Sequence, residues 1–172
     1  MTTSAPVQEK PQNITTKQEL VEAFAHHLRT QGKPAMRVFE YNVNANCAPA
    51  AYICKYRTDS GLSCGFGGLI KDEHYSEELE ERGAYIPEVM TALYKSGVDL
   101  LSILKSAKLE GEQVVVSRPN DSEFLMNLQK CHDEAAKQSH REKAPFLTCL
   151  EIHIKQFCEL YGLTYPAPNA SH

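Results

Sequence analysis

No apolar run in this chain approaches the roughly 18 residues that a bilayer-spanning helix requires. Neither charge is in marked excess: 18 Lys and Arg stand against 22 Asp and Glu, for a formal charge of −4. The first absence argues against a membrane protein. The second removes the basic stripe on which general binding to nucleic-acid phosphates depends. The opening MTTSAPVQEKPQNIT lacks the charged-then-apolar pattern of a secretory leader, so the sequence reads as a cytoplasmic protein. In a reducing compartment the six cysteines, Cys47, Cys54, Cys64, Cys131, Cys149 and Cys158, are expected to be free thiols. The Asn169-Ala-Ser171 sequon is then without consequence.

The paired knuckles of a structural zinc site are missing too. Cys54, Cys64, His74 and His132 are metal-ligand types, but C-x9-C and C-x9-H are not knuckle spacings, so no metal and no cofactor is expected. No heptad seam supports a coiled coil, which leaves a homodimer without a sequence signal.

Glycine is scarce as well, nine in 172 residues, yet four of them fall between Cys54 and Tyr75, in CKYRTDSGLSCGFGGLIKDEHY. The spacing in Cys64-Gly-Phe-Gly-Gly68 is not a dinucleotide fingerprint, and no Gly-Lys-Ser or Gly-Lys-Thr of a P-loop follows it. Interior glycines in a strand mark a bulge or a close backbone approach. The stretch therefore reads either as packing against a neighbouring helix or as a pocket floor, with Gly67 on the floor and Asp72, Glu73 and Tyr75 at the rim.

Around it the elements are ordinary. Thr16-Lys-Gln-Glu19 is a capping box ahead of an apolar stripe at Leu20, Phe24 and Leu28, giving a helix over about 17–31 that Gly32 and Pro34 stop. Val38, Tyr41 and Val43 suggest a short extended piece, and Pro49 interrupts it. Residues 51–57 are β-prone, Asp59-Ser-Gly61 supplies turn chemistry, and 62–70 is the expected return strand. Acidic residues 75–82 read as a helix, Pro87 opens another that ends near Gly97, and Leu100 to Ala107 form a further one. Val114 to Val116 is a strand, and Asn120 or Asp121 is expected to cap a long helix. A last helix runs from near Pro145 to Gly162. The fold class is α+β: a small antiparallel sheet, a β-hairpin over about 51–70 plus one or two short strands, packed by about five helices. A single domain over 15–163 lies between a disordered arm, 1–14, and a flexible tail, 164–172.

On the long helix Leu125, Leu128, His132 and Ala135 share the inward stripe, so His132 lies on or beside a core face with Gln129 and Asp133 flanking it. A satisfied core histidine is the plain reading. The sharper one makes Gln129, His132 and Asp133 a polar pocket wall. His153 is read as core.

Cys54-Lys-Tyr-Arg57, Gly61-Leu-Ser-Cys64, Gly67-Gly-Leu-Ile70, Asp72-Glu-His-Tyr75, Leu128-Gln129 with His132-Asp133, and Gly162-Leu163 form, in this order, a pattern that resembles a family of small uncharacterised proteins carried by phages and plasmids. Lys71 stands where that pattern has proline. The resemblance implies a genomic setting, with countering host defence as the expected role.

The leading expectation is a non-enzymatic accessory protein of a phage or mobile element that binds a host protein or a small ligand. The ligand contacts expected are Arg57, Gly67, Asp72, Glu73, Tyr75, Gln129, His132 and Asp133, with Arg57 and Arg118 available to an anion. The alternative is a hydrolase-like enzyme with Cys64 as nucleophile and His132 as base, supported by Asp133 or Gln129. Neighbouring helical residues point about 100° apart, so Asp133 is not expected to orient His132.

Overall fold

The computed structural model describes residues 13–39, 51–80 and 82–168. Most of the expected arm, the early extended residues Tyr41 and Val43, Pro49, Cys47 and the sequon at Asn169 lie outside the described residues.

Helix α1 spans Lys17–Gln31 and starts as its sequence dictates. The Thr16 hydroxyl accepts the Glu19 N–H at 3.1 Å, and the Glu19 carboxylate accepts the N–H groups of Thr15 and Thr16. Gly32 ends it at φ 70°, a left-handed conformation that costs glycine nothing. Ile14, placed in the arm by composition, is instead buried, and it exchanges backbone hydrogen bonds with Gly97 and Asp99.

Two small antiparallel sheets follow. In the first, β1 (Met36–Phe39) pairs with β2 (Ala51–Cys54), Met36 opposite Cys54. After helices α2 (Pro87–Lys95) and α3 (Leu100–Ile103), the second pairs β3 (Ala107–Glu110) with β4 (Gln113–Val116) across a turn at Gly111, φ 62°. The long helix α4 (Pro119–Glu142) then packs against α5 (Phe146–Tyr161), joined through Lys143 in the left-handed region. Phe124 of α4 meets Phe157 and Tyr161 of α5 with ring centroids 5.4 and 5.0 Å away, a favourable tilted and edge-on packing. Among the described residues, five α-helices and two two-stranded sheets make the expected α+β protein. No helix among the described residues is long and apolar enough to cross a membrane.

Four local expectations change. The hairpin exists only as a short closure: Arg57 bridges Ser63, Cys64 N–H reaches the Tyr56 carbonyl, and residues 65–70 then coil into turns rather than a strand. The partner of β2 is β1. The described residues of 75–82 form no α-helix: Asp72–His74 and Glu77–Leu79 are 3-10 turns, and the Glu80 carboxylate is drawn to backbone groups of the neighbouring segment. Ala107 opens β3 instead of ending a helix. Asp121 does not cap α4: the helix begins with Pro119 in its first turn, and the Asp121 carboxylate accepts the N–H and hydroxyl of Ser106.

The turns at 65–70 explain the glycines. A Cβ on Gly65 would lie 2.1 Å from the Phe24 ring, one on Gly68 would lie 2.3 Å from His27, and one on Gly67 would lie 1.9 Å from the Tyr56 carbonyl oxygen. Helix α1 and the strand end press directly onto bare backbone, and Phe66 enters the core edge-on to Phe24 at 5.3 Å. Gly67 meets backbone that cannot swing aside. Gly67→Ala is therefore expected to lower the unfolding free energy by about 3 kcal/mol, the upper range for overpacking. Urea denaturation of the two proteins checks this, and an unchanged midpoint would mean that the turn yields freely.

Candidate functional site

Three side chains converge between β2 and α4. The His132 ring is fully buried, and its Nε2 accepts the Ala35 N–H at 3.1 Å. That backbone donor fixes the tautomer: the neutral ring carries its proton on Nδ1, which donates to Asp133 Oδ1 at 3.0 Å. Asp133 thus does hydrogen-bond its neighbour, against the expectation from helical angles. The Cys54 thiol lies within 4.8 Å of the same carboxylate, and burial, followed by that negative charge, raises its pKa and keeps it protonated.

The ligand atoms of Cys54, His132 and Asp133 lie within 4.8 Å of one another, a separation suited to a metal ion. The wiring is not. A histidine that binds metal through one nitrogen normally donates the proton on the other to an acceptor. Here the other nitrogen faces the Ala35 donor, so a metal on Nδ1 would require a ring stripped of both protons. The order is also wrong for nucleophilic catalysis, since a carboxylate, not an imidazole, stands between thiol and partner. The group is a hydrogen-bond chain from Asp133 through His132 to the backbone just before β1, with the Cys54 thiol beside it.

Gln129, one turn before Asp133, accepts the Ala84 N–H at 2.9 Å. With Cys54, Tyr56, Arg82, Lys130 and Asp133 it lines an open cleft of about 410 Å³. Gln129 and Asp133 thus line this cleft, which holds none of the glycines of 65–68, while His132 is fully buried and does not line it.

Cys64 is separate. Its sulfur accepts the Gly67 N–H at 3.3 Å, and burial pushes the thiol pKa up to about 12. A protonated, enclosed thiol is a poor nucleophile. Both ring nitrogens of His132 are committed elsewhere, so Cys64 and His132 do not form the hydrogen-bonded dyad of the hydrolase reading.

The remaining expected residues gather around Glu80. Its carboxylate accepts the N–H groups of Tyr56 and Arg57 at 3.0 and 2.9 Å and the Tyr75 hydroxyl at 2.7 Å. Tyr75 in turn stacks under the Arg57 guanidinium, 4.4 Å from ring centroid to charge. Arg57 donates to the Ile70 carbonyl and to Asp72 Oδ1. Arg57 and Asp72 border a second open cleft of about 570 Å³, with Gly67 on its floor. Glu73 and Tyr75 face a third, toward α2. The eight expected contacts are therefore divided among three places. Arg118, the other expected anion contact, is the exposed N-cap of α4 and lines none of these clefts.

Sequence reasoning passed over His27 and Ser63. His27 Nε2 lies 2.9 Å from Ser63 Oγ on the wall of the Arg57 cleft, and Gln31 clamps the Ser63 backbone from the same helix. The available signal was position: His27 follows Phe24 by three residues on the buried stripe of α1, which required something small, Gly68, opposite it.

No protein-family model, no curated protein and no solved structure matches the chain.

Burial holds the His27 pKa below its ordinary 6.5, with the Ser63 carbonyl only partly offsetting it. The unfolded chain therefore takes up this proton first, and stability falls as pH drops below 6.5 toward the lower folded value. Glu151, whose burial is outweighed by hydrogen bonds from Arg29 and Tyr165, holds its carboxyl below the ordinary 4.5 and titrates outside this window. His27→Gln should flatten the stability profile between about pH 7 and pH 5, read by denaturant titration at each pH. An equally steep profile in the variant would remove His27 as the cause.

Proposed function

We propose that the protein acts by binding rather than by covalent chemistry, as a non-enzymatic accessory protein of a phage or mobile element. The observation that carries this reading is the state of the residues a cysteine hydrolase would use. Cys64 is enclosed and protonated, and His132 spends one nitrogen on the Ala35 amide and the other on Asp133. What faces outward are open clefts bordered by Arg57, Asp72, Gln129 and Asp133, groups suited to hold a polar ligand. The phage and plasmid setting, a host-cell location and a role against host defence come from the sequence resemblance, and a host protein is the other partner that setting suggests.

Native mass spectrometry of protein recovered from a bacterial host, set against denaturing spectra of the same sample, tests the reading. A bound mass lost on denaturation is expected, and it should persist in Cys64→Ala, which removes the thiol but leaves both clefts. A bare chain in each case, or loss of the bound mass with Cys64 alone while the fold is retained, would overturn it.

A further inference from the structure

We infer that the cleft beside Arg57 is an anion site for the phosphate group of a small phosphomonoester, and that Asp72 occupies the anion's place in the empty protein. The inference rests on the binding reading above and narrows it to one cleft and one chemistry.

Arg57 is held before any ligand arrives. Its backbone N–H is fixed by Glu80, one face of its guanidinium lies on the Tyr75 ring at 4.4 Å, and one edge donates to the Ile70 carbonyl. Such an arginine loses little freedom on engaging an oxyanion, and its planar fork suits phosphate. The other edge, Nη1, is 2.6 Å from Asp72 Oδ1. That carboxylate is 96 % exposed, while the guanidinium is 25 % exposed. An ion pair so open on the acid side is a weak tether that water and salt already contest. A carboxylate oxygen at this point marks where an external oxyanion would sit.

The surrounding groups favour a tetrahedral oxyanion over a second carboxylate, since the lining offers further side-chain donors beside the guanidinium. Lys71 is exposed on the rim and has no ion pair among the described residues. The Ser63 hydroxyl and the His27 imidazole, 2.9 Å apart, also line the cleft, with His27 against the backbone of Gly68. Asp72 is the one carboxylate on the lining, and it is the group that leaves. The cleft, about 570 Å³ and open, has room for an organic residue beyond the phosphate.

The test is an amide NMR titration of the full chain with inorganic phosphate, O-phosphoserine and, at matched ionic strength, sodium chloride. Saturable shifts at Ser63, Gly68 and Lys71 are expected with phosphate and, more tightly, with the phosphomonoester. Asp72→Asn should tighten binding about threefold by removing the competing anion. Arg57→Lys, which keeps the charge and loses the fork, should weaken it about tenfold. Lys130→Gln, in the other cleft, should change nothing. Equal shifts with chloride, indifference to Asp72→Asn, or tighter binding of inorganic phosphate than of the ester would each overturn the inference. A bound mass in native spectra alongside a failed titration would sink this site while leaving the binding reading intact.

Discussion

The backbone of Ala35 ties together two segments distant in the chain, α4 and the end of β2. It is fully buried, so neither of its polar groups can turn to water, and each takes a partner from distant chain. Its N–H goes to His132 of α4, and its carbonyl receives the Lys55 N–H at 3.0 Å, just past β2. An unmet buried amide costs roughly 1–3 kcal/mol, so His132 is obligatory at this point for stability alone. The same bond dictates its protonation: an imidazole that must accept through Nε2 can only donate through Nδ1, and Asp133 is there to receive that proton. One backbone amide thereby settles the state of the most conspicuous histidine in the sequence.

A second constraint comes from crowding. Residues 65–68 have α1 on one side and the Tyr56 carbonyl on the other, with so little space that three of the four positions exclude a Cβ. The remaining one, Phe66, fills the core beneath. Small residues here are the consequence of large ones elsewhere, Phe24 and His27 in particular. The close approach also delivers a feature of the surface, because it brings His27 over Gly68 to within reach of Ser63, beside the clasp that Glu80 makes on the ends of Tyr56, Arg57 and Tyr75.

Elements whose stability is local were legible. The capping box at Thr16 and Glu19, the glycine stops at Gly32 and Gly162, and Pro87 in a first turn all act within a few residues, and each lies where the sequence puts it. Elements decided by distant partners were not. Residues 75–82 have helical composition, but the Glu80 carboxylate gains more from two strand-end amides and a tyrosine hydroxyl than from solvent on a helix face. Asp121 likewise serves Ser106 rather than its own helix. Thr164, expected in a loose tail, is held by two hydrogen bonds with Gln18. At the site, helical spacing put His132 on or beside the inward stripe with Gln129 and Asp133 flanking it, and His132 is fully buried. It could not find Cys54 beside them, which depends on where β2 docks, nor His27 opposite Ser63.

These assignments bear on how the protein can work. Cys64 and His132 are turned inward, and their hydrogen bonds, to the Gly67 amide and to the Ala35 amide and Asp133, belong to the core they help hold together. Charged groups at the surface are arranged differently. Glu80 is committed through three bonds to the segment it anchors, whereas Asp72 meets Arg57 at a single oxygen and otherwise faces water. The two carboxylates, eight residues apart and both engaging Arg57, thus differ in exchangeability: losing Glu80 would release the strand end and the 3-10 turns together, but losing Asp72 frees only one edge of a guanidinium that Tyr75 and Ile70 continue to hold. The contacts that are hardest to remove thus position the Arg57 guanidinium, and the Asp72 contact, the one most open to water, covers one edge of it.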